Sequence, residues 1–92
     1  MILYEWDESK RLSNLDLHRL DFLDAGEFDW ESSLVAPDLR REYGEDRYIA
    51  LGKFHDRLTV LVFTPREEAI RLISWRKANS REVFIYETGT QN

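Results

Sequence analysis

Cysteine is absent from this 92-residue chain. That removes disulfides, thiolate nucleophiles and Cys-ligated metals in one step. It suits a reducing compartment, and the expected location is cytoplasmic. Glycine is scarce, with four residues and no cluster, so no glycine-rich phosphate loop can be written. The two histidines, His18 and His55, lie far apart and outside any spaced ligand pattern such as HExxH; neither a metal nor another cofactor is expected. No serine stands in a nucleophile-elbow context. No apolar run approaches the roughly 20 residues that cross a bilayer, and no membrane partner is expected. The opening MILYEWDESK reaches its first acid after four residues, which fits neither a signal peptide nor an anchor.

What is present fits one domain spanning residues 1–92. Apolar residues make up 42% of the chain and aromatics 13%, enough for one core and not for two. Charge is uneven. Residues 1–46 hold five Lys/Arg against thirteen Asp/Glu, a net −8, while residues 47–92 carry a net +3. A polyanion would meet the second half, and the overall −5 argues against indiscriminate nucleic-acid binding. No segment shows a basic helical face with base-reading residues, so a free-standing DNA-binding module is a poor fit.

Local patterns predict the elements. ILYEW reads as a short strand. Asp7 is an N-cap, and helix-favouring residues run to about Arg19, with Leu12 and Leu15 facing the core. Asp21 caps a second short helix carrying Phe22, Ala25 and Phe28. Residues 29–46 read as a loop with a short edge strand near 34–36. RYIALGKF (47–54), LTVLVFT (58–64) and AIRLISWR (69–76) then form an antiparallel meander with the apolar second strand at its centre. A helix starts near Ser80, and residues 88–92 form a frayed tail. The expected fold is α+β: a small antiparallel sheet in the order β-α-α-β-β-β-α, two N-terminal helices packed on it and a C-terminal helix.

The chemistry-bearing residues are cations and proton-transfer groups. Lys10, Asn14 and His18 recur every four residues, within about 80° on a helical wheel. That stripe fits either an ordinary solvated or packed helix face or one wall of a site. Arg57 opens one strand and Arg76 nearly closes the next, which would bring two guanidiniums to one sheet end beside Lys77. Arg47, Tyr43 and Glu45 border the long loop. Each has an ordinary structural reading too, and His55 reads as a turn residue. Together they supply what RNA cleavage without a metal requires. A base takes the 2′-hydroxyl proton, cations steady the phosphorane and an acid protonates the 5′-oxygen; histidine titrates in the useful range.

The ordered combination is specific. EWD is followed by Lys10, Asn14, His18 and Phe22, then Tyr43-Gly44-Glu45 and Arg47, then Gly52 and Arg57. Ile73, Ser74, Arg76-Lys77-Ala78 and Glu82 complete it. The sequence resembles the BrnT toxins of bacterial type II toxin–antitoxin systems over about residues 5–87. Two positions depart: Leu17-His18-Arg19 stands where the family often has Lys-His-Gly, and Trp75 stands where it has a small residue. The resemblance implies a RelE-like fold and a ribonuclease that cleaves mRNA and arrests translation. It implies a BrnA-type ribbon-helix-helix antitoxin in a hetero-oligomer that meets operator DNA only through the antitoxin. It points to His18 as acid or base, Arg57 and Arg76 as phosphate stabilisers and Lys10 as an auxiliary cation. Asn14, Tyr43, Glu45, Arg47 and Lys77 would be substrate-binding positions. The competing expectation is a weak or inactive homologue that only binds antitoxin and co-represses its operon.

Overall fold

The computed structural model describes residues 2–89. The chain runs β1 (Tyr4–Glu5), α1 (Glu8–His18), a 3₁₀ helix (Phe22–Glu27), β2 (Leu34–Pro37), β3 (Tyr48–Phe54), β4 (Arg57–Pro65), β5 (Ile70–Lys77) and α2 (Ser80–Gly89). The strands form one sheet in the order β1-β5-β4-β3-β2. Strands β3 to β5 form the expected antiparallel meander, and β2, a strand beyond the expected β-α-α-β-β-β-α order, pairs antiparallel with β3. Strand β1 corrects the expectation of an antiparallel sheet. It lies parallel to β5, with Tyr4 opposite Ile70 and Glu5 opposite Arg71, so the sheet is mixed. Its partner is the last strand in the chain, and no turn chemistry announces so distant a pairing.

Side-chain chemistry explains the local elements. The Asp7 carboxylate accepts from the backbone N–H groups of Ser9 and Lys10 and starts α1. Asp21 accepts from Leu23 N–H and starts the next turn of helix. That second helix is 3₁₀ rather than α. Phe22 and Ala25 are three residues apart and both buried, and a three-residue turn stacks them on one side. In α2, regular helix continues through Gly89, so residues 88 and 89 are not frayed; residues 90–92 lie outside the described residues.

Strand β4 is central and buried from Leu58 to Thr64. Alternation divides its side chains between two faces. Leu61 and Phe63 join Ala50, Leu72 and Trp75 beneath Leu20, Phe22, Ala25 and Phe28. Trp75 is fully buried, edge-on to Phe54 with ring centres 4.9 Å apart, and its Nε1–H donates to Thr59 Oγ1 at 3.0 Å. Phe28 sits so close to β3 that a Cβ at Gly52 would stand 2.4 Å from its ring. Leu58, Val60 and Val62 point to the other face, where Leu58 shares a groove with Val83 and Tyr86 of α2.

Candidate functional site

Helix α1 lies along β5 rather than over the middle of the sheet. Because β1 pairs only with residues 70 and 71, the outer edge of β5 beyond them has backbone groups to satisfy. Asn14 satisfies them at Trp75. Its Nδ2 donates to Trp75 O at 2.9 Å, and its Oδ1 accepts from Trp75 N–H at 2.9 Å. Nδ2 also donates to Leu20 O at 3.1 Å. Only 7% of Asn14 is exposed, whereas Leu12, expected to face the core, is 53% exposed. The middle of the polar stripe is therefore packed against the sheet edge, with the Asn14 amide held by backbone, while Lys10 is exposed and His18 half-buried.

The stripe's two ends border open space. Lys10, Ser13, Leu17 and His18 of α1 and Ile73 and Ser74 of β5 line a groove of about 290 Å³ with Asn14 on its wall. Neither Lys10 nor His18 forms a salt bridge among the described residues. They are two helical turns apart, about 12 Å along the axis, so they would meet different parts of a ligand. Arg19 closes the helix in the left-handed region at φ 61°, its N–H donating to Leu15 O.

Register decides where the arginines go. Arg76 lies opposite Val60, and Ser74 opposite Val62, so both belong to the face away from the aromatic core. Arg57 is three residues before Val60, about 10 Å along the strand. The expected Arg57/Arg76 pair at one sheet end is thus not formed. Arg57 instead lines a groove of about 260 Å³ with Lys53, Val83 and Glu87. Arg76 donates bidentately to Glu82, Nη1 to Oε1 at 2.9 Å and Nη2 to Oε2 at 2.8 Å. This pairing holds the Glu82 carboxyl below the usual carboxylate range. Lys77 lies opposite Thr59 and, by alternation, on the other face from Arg76.

Tyr43, Glu45 and Arg47 cluster in the loop after β2, away from the α1 groove. Arg47 Nε donates to Glu45 Oε2 at 3.0 Å, and its guanidinium lies 4.1 Å from the Tyr43 ring centre. Tyr43 Oη donates to Asp38 Oδ2 at 3.1 Å. Asp38 is a residue the sequence pattern does not single out. Its carboxylate is fully buried and accepts from Arg40 Nε and Nη2 at 2.8 and 2.7 Å. The charge of Arg40 acts on both Arg76 and Glu82. An acid between a proline and two arginines, Pro37 to Arg41, is the only sequence signal, and it does not reveal burial. His55 is the turn residue expected, at φ 56° with Nε2 at 2.8 Å from Glu27 Oε1. Among the described residues no three His, Asp or Glu side chains converge as a metal cage. No described helix is long and apolar enough to cross a membrane.

Lys10, His18, Ser74 and Arg76 all fall within residues 6–82, the span matched by a family model described as "Ribonuclease toxin, BrnT, of type II toxin-antitoxin system". The chain belongs to the BrnT family. It is also similar to the crystal structure of the Brucella abortus ribonuclease toxin BrnT, at 32% identity and a TM-score of 0.71. That match covers 87% of this chain and all of the other. No curated protein matches it. The mixed α+β architecture is thus that of a BrnT toxin, and a type II toxin has an antitoxin partner. Both walls of the α1–β5 groove lie inside the BrnT match, and Glu82, which holds Arg76, is its last residue.

Proposed function

We propose that this BrnT is a RelE-like, metal-independent endoribonuclease of the cytoplasm that cleaves mRNA and inhibits translation. A BrnA-type ribbon-helix-helix antitoxin neutralises it, and the complex reaches operator DNA through the antitoxin. The observation that carries the reading is the groove in which His18 and Lys10 meet Ser74 beside Arg76.

The chemistry follows from that placement. RNA lies along the groove with the scissile phosphate near His18. An imidazole can both take and give a proton. As base it takes the 2′-hydroxyl proton while that oxygen attacks phosphorus and the 5′-oxygen departs; as acid it protonates the departing oxygen. Arg76 offsets the charge of the phosphorane, and Lys10, two helical turns from His18, is an auxiliary cation that holds a neighbouring phosphate. Arg57, in its separate groove, is a backbone contact farther along the strand, and Lys77, Tyr43, Glu45 and Arg47 lie at the periphery. Asn14 acts by fixing α1 on β5.

A second reading rests on the Arg76–Glu82 clamp. A guanidinium already neutralised by a carboxylate stabilises a phosphorane poorly, which favours a binding-only co-repressor. Incubation of the purified protein with labelled RNA in EDTA separates the two. Cleavage that disappears when the scissile nucleotide is 2′-deoxy supports the ribonuclease. Intact RNA beside a tight antitoxin complex supports the co-repressor.

A further inference from the structure

We propose that Arg40 is a second phosphate-contacting cation of this site and that Asp38 is its positioning residue. The proposal rests on the ribonuclease reading above and adds residues that sequence patterning does not mark. Asp38 is the first residue after β2, and its backbone N–H donates to Arg47 O at 2.8 Å. Its carboxylate, with no exposed surface, accepts from Arg40 N–H at 3.2 Å, from Arg40 Nε and Nη2, and from Tyr43 Oη. A buried carboxylate bonded on this scale fixes the plane of the guanidinium that it holds.

The rest of Arg40 faces outward. Its side chain is 63% exposed, with Asp38 on one edge of the guanidinium and the Tyr43 hydroxyl nearby. An Arg oriented by an acid on one edge presents its other N–H groups as a fork suited to phosphate oxygens. Its charge also acts on Glu82 and opposes that of Arg76. A bound phosphate between Arg40 and Arg76 would relieve that opposition and compete with Glu82 for Arg76.

The test compares Arg40→Ala with Arg41→Ala, neighbours that carry the same charge change. Arg41 packs over the Tyr43 ring at 5.0 Å and serves as the control. Cleavage of labelled RNA and binding of a non-cleavable 2′-deoxy oligonucleotide are measured across a salt series. Loss of one phosphate contact lowers the slope of log affinity against log salt by about 0.7 for a single strand. Arg40→Ala is expected to show that drop and a severalfold loss of cleavage, with Arg41→Ala near the parent. Arg40→Lys is expected to restore part of the slope. Asp38→Asn is expected to lower cleavage although it makes the protein less acidic; Tyr43→Phe, which keeps the carboxylate, covers the case in which Asp38→Asn does not fold. Equal effects of Arg40→Ala and Arg41→Ala in a parent that cleaves overturn this proposal alone. A folded parent that neither binds nor cleaves RNA overturns the ribonuclease reading with it.

Discussion

Asn14 and Trp75 are joined as two paired strands would be: the side-chain amide of one meets both backbone groups of the other at 2.9 Å. One polar side chain extends the sheet by a single rung and fixes α1 against β5. His18 and Lys10 reach their groove because of it.

Asn14→Ala should therefore destabilise the fold by about 3 kcal/mol, since Trp75 N–H, Trp75 O and Leu20 O lose a buried partner. Asn14→Asp keeps an acceptor for Trp75 N–H but, when ionised, no donor for the carbonyls, so it also destabilises at neutral pH. Chemical denaturation of both variants checks this. Wild-type stability in Asn14→Asp would contradict the arrangement.

Arg19→Gly should stabilise the protein. Arg19 holds the left-handed conformation at the end of α1, which costs an L-residue about 1–2 kcal/mol. Part of that gain is returned by the freer unfolded chain. A net gain of about 0.5 kcal/mol is expected by thermal or urea unfolding. A loss would show that the Arg19 side chain contributes contacts that outweigh its strain.

Gly52→Ala should destabilise, because the new methyl would meet the Phe28 ring at 2.4 Å inside a close-packed core, at about 1–3 kcal/mol. The pair Gly52→Ala with Phe28→Leu should recover part of the loss, measured as a double-mutant cycle.

Acid should weaken the fold through Asp38. Its folded-state pKa is pushed well below the ordinary 3.8, first by the Arg40 hydrogen bonds. A depressed carboxylate contributes stability that is present above its unfolded value and lost as pH falls below it. Glu82, depressed by Arg76 from 4.5, acts in the same direction. Stability should thus decline below about pH 4, and Asp38→Asn should decline less steeply while starting lower at pH 7. Parallel curves would contradict the assignment.

Much of the fold is legible locally. Asp7 and Asp21 announce the helix starts, and the apolar run 58–64 announces the central strand. What stays hidden is non-local. The parallel pairing of β1 with β5 leaves no turn signal, and the inward role of Asn14 depends on an edge that this pairing leaves bare. The Arg57/Arg76 pairing fails because the strand ends are not level: Arg57 pairs with Phe54 on β3, while Lys77 already lies opposite Thr59. The stripe of His18 and Lys10 is legible because helical periodicity places them on one side of α1; that the stripe meets β5 is not, because it depends on Asn14 and Trp75.

The central claim is that His18 moves a proton in RNA cleavage from the groove between α1 and β5. The most direct test is the single-turnover cleavage rate of His18→Ala beside the parent, with unfolding midpoints measured on the same samples. A loss of about 10²–10⁴-fold with an unchanged midpoint is expected. A folded His18→Ala protein that cleaves at the parental rate would contradict it.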